Sequence, residues 1–193
     1  MSAEERIKIE RLLAFHAAPT LMGVKCGSLP AFSASGYDLE VVAGLFADNY
    51  FGDRIKARTI SRNAERMLVY IYDDILLEKT LAEREVRDFL AGYGYQESWD
   101  KEQCLDRLCG RLCDKDFPHE IGIFLGYPLE DVKGFIANCG QRCKLCGVWK
   151  VYGDTDKAKA LFECYENCRL HLCREIENGK KLRNCAVKAT EVA

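Results

Sequence analysis

Helical apolar stripes interleaved with short β-branched and aromatic runs predict an α/β fold for this 193-residue chain: a single domain over 1–193, with a central sheet of about four strands flanked by helices. Two observations carry that expectation most directly. The run Met67–Tyr72 (MLVYIY), bounded by Asp73 and Asp74, reads as a buried strand. The stripe Ala158, Leu161, Phe162, Tyr165, Cys168, Leu172 and Ile176 reads as one long helix stopped at Asn178-Gly179. A chain of this length buries roughly two-thirds or more of its unfolded surface, so a core forms without covalent staples.

In chain order, Ser2 with Glu5 makes a capping box, and Ile9, Leu12, Leu13 and His16 continue at helical spacing. This predicts an amphipathic helix over about 3–16, stopped by Pro19, with His16 on the buried face near its C-terminus. Thr20–Leu29 reads as a short strand or extended loop carrying Lys25 and Cys26 beside Gly27. Asp38 caps a second helix bearing Val42, Leu45, Phe46 and Tyr50, closed by Gly52. The basic stretch 53–65 reads as a solvated loop or helix face.

Beyond the Met67–Tyr72 strand, helices are expected over Glu83–Tyr93 and about Asp100–Cys113, the second with Cys104 and Cys109 as small core hydrophobes. Ile121–Leu125 is expected as a central strand interrupted by Gly122. Pro128 opens a helix with Glu130 and Asp131 at its positive end, Gly140 ends it, and Leu145–Tyr152 alternates toward a fourth strand. Asp154 caps the long helix, and residues 180–193 are expected as a frayed tail.

The balance of 28 basic and 30 acidic residues gives a formal charge of -2, which supplies no field toward nucleic acid or an anionic membrane. No apolar run has the length to cross a bilayer. A protein partner or a homodimer stays open. Eleven cysteines, behind an N-terminus with no basic start and apolar run, predict reduced thiols in a cytoplasm rather than a disulfide framework.

The chemistry-bearing residues concentrate in Phe117–Asp154. Cys139, Cys143 and Cys146 give C-x-x-x-C-x-x-C, whose thiolates would suit zinc, iron or an iron-sulfur cluster. The spacing is that of the radical S-adenosylmethionine loop, but here it lies near the end of the chain rather than after a first strand. Cys164, Cys168 and His171 share one side of the last helix, as soft ligands or as core-lining thiols. His119 beside a cysteine could lower a thiol pKa, and Cys26 and Cys146, each next to a glycine, are the candidate nucleophiles.

Three runs carry a family resemblance: His16-Ala17-Ala18-Pro19-Thr20-Leu21 with Gly23 and Lys25; Phe117–Gly122 through Phe124–Pro128 to Asp131; and Leu145-Cys146-Gly147 with Trp149–Asp154. On these runs the chain resembles a bacterial domain-of-unknown-function family, number 3793, of clostridia and related anaerobes. The resemblance implies a shared polar site of His16, Lys25, His119, Glu120 and Cys146 and does not extend to Cys139, Cys143, Cys164 or Cys168. Three functions stay open: handling of a metal or redox-active ligand through Cys146 and His119, with Lys25 attracting an anionic group; a thiol enzyme with a cysteine nucleophile, a histidine base and Glu120 orienting it; or an interaction module without chemistry.

Overall fold

A computed structural model describes residues 1–47, 49–112 and 117–187. Its fold is mixed, as expected: a four-stranded antiparallel sheet, a separate two-stranded ribbon, and helices. The chain gathers into two compact units, Met1–Leu76 with Asn167–Ala193, and Leu77–Glu166.

In the first unit, α1 (Ala3–Leu21) begins on the expected capping box, Glu5 N–H donating to Ser2 Oγ at 3.1 Å and Ser2 N–H to Glu5 Oε2 at 2.8 Å. Contrary to expectation, the helix continues through Pro19. Proline removes a single helical hydrogen bond so near the end, and the Pro19 carbonyl then accepts the N–H groups of Val24 and Lys25, which turn the chain back. The buried stripe also differs. Ile9, Leu13, Ala14, Ala17, Ala18 and Leu21 are inside, so the alanines carry the stripe and His16 falls outside it, exposed.

The expected strand Met67–Tyr72 is the centre of the sheet, as β4 (Arg66–Asp73). On one side it pairs with β1 (Gly27–Ser28) and β2 (Ala31–Ser33), and on the other with β3 (Ile55–Arg62). The stretch expected as a basic loop or helix face is therefore a strand. Ile55 and Ile60 are both buried although an odd spacing puts them on opposite faces, and the register shift between Thr59 and Ser61 resolves that conflict. Lys56, Arg58 and Arg62 sit on a sheet edge, where cations discourage pairing with other chains.

Asp38 caps α2 (Leu39–Ala47) as expected, accepting the N–H groups of Glu40 and Val41. Asp154 likewise caps α8 (Thr155–Glu177), whose Cys168, Leu172 and Ile176 are buried. The tail is ordered further than expected. The short helix α9 (Leu182–Cys185) buries Leu182 completely, and Val187 N–H donates to the Leu21 carbonyl at 2.8 Å. The part of the tail beyond 187 lies outside the described residues.

Two helices, α3 (Asp74–Ala82) and α4 (Arg84–Ala91), follow β4, the first of them not anticipated from sequence. In the second unit α5 (Lys101–Leu112) buries Cys104, Leu105 and Leu108 as expected, whereas Cys109, also expected in the core, sits at its border half-buried; Cys113 lies outside the described residues. The expected strand Ile121–Leu125 is a helical turn, α6 (Ile121–Phe124), because Pro118, His119 and Glu120 carbonyls accept the N–H groups three residues on. Pro128 opens α7 (Leu129–Ala137) as expected. The single strand expected over Leu145–Tyr152 is two short ones, β5 (Leu145–Cys146) and β6 (Lys150–Val151), turning at Gly147. Four strands were expected and the sheet has four, yet two of the expected segments lie outside it.

Candidate functional site

The residues singled out by sequence fall in both units, and each unit is built differently around them. In the first, His16 lines an open groove of about 810 Å³ with Lys8, Arg11, Leu12, Phe15 and Tyr37. Its ring meets Phe15 edge-on at 4.9 Å, and partial shielding from water, with the Arg169 charge, pushes its pKa down. Lys25 is 8% exposed, and burial pulls its ammonium down to about 8, opposed by the neighbouring Cys26. Cys26 is itself buried and hydrogen-bonded with the Tyr70 hydroxyl, whose own pKa burial raises well above the ordinary value. Close by along the sheet, Arg54 Nε donates to Asp73 at 2.9 Å, and Asp73 N–H donates to the Cys26 carbonyl.

In the second unit Asp131, in the first turn of α7, organises the hairpin. Its buried carboxylate accepts Trp149 Nε1–H at 2.7 Å on one oxygen, and the N–H groups of Tyr152 at 2.7 Å and Gly153 at 2.8 Å on the other. Trp149 stacks on Tyr127 at 5.0 Å and meets Phe162 edge-on at 4.5 Å. Two glycines permit this approach: a Cβ on Gly134 would lie 2.4 Å from the Tyr152 Cβ, and one on Gly147 would lie 2.1 Å from the Phe162 ring. Most of the third sequence run, with Asp131 at the end of the second, is thus the packing of α7 against the ribbon.

That packing presents the thiols. Cys139 and Cys146 are exposed and Cys143 half-buried. The loop before β5 is tied on several sides: Lys150 Nζ donates to the Gly140 carbonyl at 2.6 Å, Tyr152 Oη to the Gln141 carbonyl at 3.0 Å, and Lys144 Nζ to the Gly153 carbonyl at 2.9 Å. Cys139 and Arg142 take left-handed backbone, φ 48° and 58°, a conformation such side chains adopt at some energetic cost.

Cys146 stands directly opposite Lys150 in the β5–β6 ladder, so the thiol and the ammonium stem leave the same face. Lys150 Nζ lies 5.9 Å from the centre of the Phe135 ring, and His119 meets that ring edge-on at 5.0 Å. His119, exposed, therefore comes within one aromatic ring of the lysine that faces Cys146. Glu120 does not orient it. That side chain is fully buried and accepts the Arg111 guanidinium, from Nε at 2.8 Å and from Nη2 at 3.3 Å.

Among the described residues no group of three or more His, Cys, Asp or Glu side chains is placed to hold a metal ion, the trio Cys139, Cys143 and Cys146 included. The same statement covers Cys164, Cys168 and His171, with Cys168 buried as core lining. Lys150 and Phe135 were not among the site residues expected from sequence. A hairpin reading of Leu145–Val151 around Gly147 would have put Lys150 opposite Cys146. No comparable signal announces Arg111 as the partner of Glu120.

Fold and site together define a mixed α/β protein that holds a thiol-bearing hairpin against a helix. The chain belongs to the family described as protein of unknown function DUF3793, whose model matches residues 13–186. No curated protein and no solved structure matches it. Among the described residues no helix is long and apolar enough to cross a membrane.

Proposed function

We propose that the protein handles a redox-active ligand in a reducing cytoplasm, through the Cys146 thiol with His119 and Lys150 beside it. The observation that carries this reading is the pairing of an exposed thiol with a lysine across the β5–β6 ladder, one ring from a histidine. The ten cysteines among the described residues carry thiols rather than disulfides, in keeping with such a compartment. A resident ion is less well served, since no three ligands converge among the described residues.

The chemistry is thiol–disulfide exchange. The Cys146 thiolate attacks one sulfur of a small disulfide, that S–S bond breaks, and the other half leaves as a thiolate that takes a proton. Cys146 is left as a mixed disulfide, and an external thiol reverses the step. Lys150 supplies positive charge for an anionic disulfide, and at the exposed Cys146 water carries the proton.

The test uses the dianionic aromatic disulfide known as Ellman's reagent, with release of the coloured thiolate followed in time and peptide mapping of the modified cysteine. Cys146 reacts first, Cys146→Ser removes the fast phase, and Lys150→Met slows it several-fold. A fast phase that survives in Cys146→Ser, or that maps to Cys139 or Cys143, overturns the reading.

A further inference from the structure

The first unit carries a cavity of about 330 Å³, away from the thiol hairpin, lined by Arg6, Leu45, Asn49, Tyr50, Lys181 and Arg183. Its volume lies at the lower end of the range of small-molecule sites. Three cations reach it from the two ends of the chain, Arg6 from α1, Arg183 from α9 and Lys181 just before it.

An acid beside this cluster, Glu10, is already engaged. Glu10, 2% exposed, accepts the Tyr50 hydroxyl and lies 4.0 Å from Arg6 Nε, too far for a hydrogen bond. Burial, then Glu10 itself, holds Tyr50 protonated, while the charges of Arg6 and Arg183 act on the same ring from the cavity side. Among the described residues Arg6 Nε has no hydrogen-bond acceptor, and neither Lys181 nor Arg183 stands in an ion pair. Asn49 adds an exposed amide on left-handed backbone, φ 50°. Among the described residues the cationic donors at the cavity therefore exceed the acceptors there, a surplus that an acceptor from outside would meet.

We propose that this cavity binds the phosphate monoester of a small, sugar-sized molecule. The phosphate oxygens take the guanidinium and ammonium donors, which suit a dianion in forked geometry, and Leu45 and Tyr50 wall the uncharged remainder.

Titration calorimetry on the full chain tests this with ribose 5-phosphate, inorganic phosphate and uncharged ribose. Ribose 5-phosphate binds with one site per chain, inorganic phosphate binds more weakly at the same site, and ribose does not bind. Lys181 and Arg183 are exposed, so Lys181→Gln/Arg183→Gln leaves the thermal midpoint in place and weakens the ester by about tenfold or more, the worth of one or two charge-assisted hydrogen bonds. Absence of heat with either phosphate, or equal affinity in that double variant, overturns the proposal. Binding to vesicles containing phosphatidic acid without binding to ribose 5-phosphate overturns it too, by assigning the cations to a lipid surface.

Discussion

The Asp131 carboxylate lends itself to a quantitative test, because its two oxygens do different things. One accepts the Tyr152 and Gly153 N–H groups and the other accepts Trp149 Nε1–H. Asp131→Ala strands all three donors in a region where Trp149 is 7% exposed and the two backbone groups are half-buried. A buried donor left unmet costs about 1–3 kcal/mol, and with the backbone groups near the lower limit the total is about 3–5 kcal/mol. Asp131→Asn is more selective. Its amide oxygen can keep both backbone bonds, whereas its NH2 then faces the indole N–H, donor against donor, and the loss falls to about 1–2 kcal/mol. Urea unfolding followed by tryptophan fluorescence measures both, in a Trp99→Phe background so that Trp149 alone reports. Adding Trp149→Phe to Asp131→Asn, in a chain that keeps Trp99 and with unfolding followed by far-ultraviolet circular dichroism, recovers part of the asparagine loss, because the opposed donor is gone. An alanine variant that loses less than about 1 kcal/mol, or an asparagine variant as unstable as the alanine one, would refute this account of the hairpin.

Glycine substitutions at two helices move in opposite directions. A methyl at Gly134 meets the Tyr152 Cβ at 2.4 Å, and that residue is pinned through its backbone to Asp131, so Gly134→Ala destabilises by about 1–3 kcal/mol in urea titrations. Gly44 in α2 has open space around it, and Gly44→Ala stabilises by up to about 1 kcal/mol. Lys25 makes stability depend on pH. Its folded pKa is lowered from 10.5 to about 8, so between those values the unfolded chain holds more protons and stability rises with pH. Below that window both states are protonated and the full penalty of the buried ammonium, on the order of 3 kcal/mol, is present. Lys25→Met therefore stabilises the protein near neutral pH, and the advantage shrinks as pH climbs through the window. Chemical denaturation of both proteins on each side of it checks this, and a difference that does not vary with pH counts against the assignment.

What could be read beforehand was what local chemistry settles. The capping groups Ser2, Asp38 and Asp154 hold their helices as their residue types suggest, and Met67–Tyr72 is a strand because β-branched and aromatic side chains buried on both faces leave little alternative. Errors arose where tertiary context decided. Ile55–Arg62 looks solvated until a bulge brings Ile55 and Ile60 inward together, and Ile121–Phe124 has strand composition but turns because Pro118 and its neighbours start a helical turn. The candidate site followed the same division. Cys146 and His119 were legible as residue types, whereas Lys150 enters through cross-strand register and Glu120 leaves through a partner, Arg111, that no spacing rule announces.

The first unit is discontinuous, made of Met1–Leu76 and of the segment that begins at Asn167. On the ribosome this imposes an order of assembly. The second unit is one unbroken stretch and can close as soon as it has left the exit tunnel, while the first, although synthesised earlier, lacks Leu172, Ile176 and Leu182 until the segment after Glu166 has followed. Until that segment arrives, α1 and the central sheet wait with apolar surface uncovered, and the bond from Val187 to Leu21 forms only after it has done so. A premature stop after Glu166 would leave the first-made part of the chain without its closing segment.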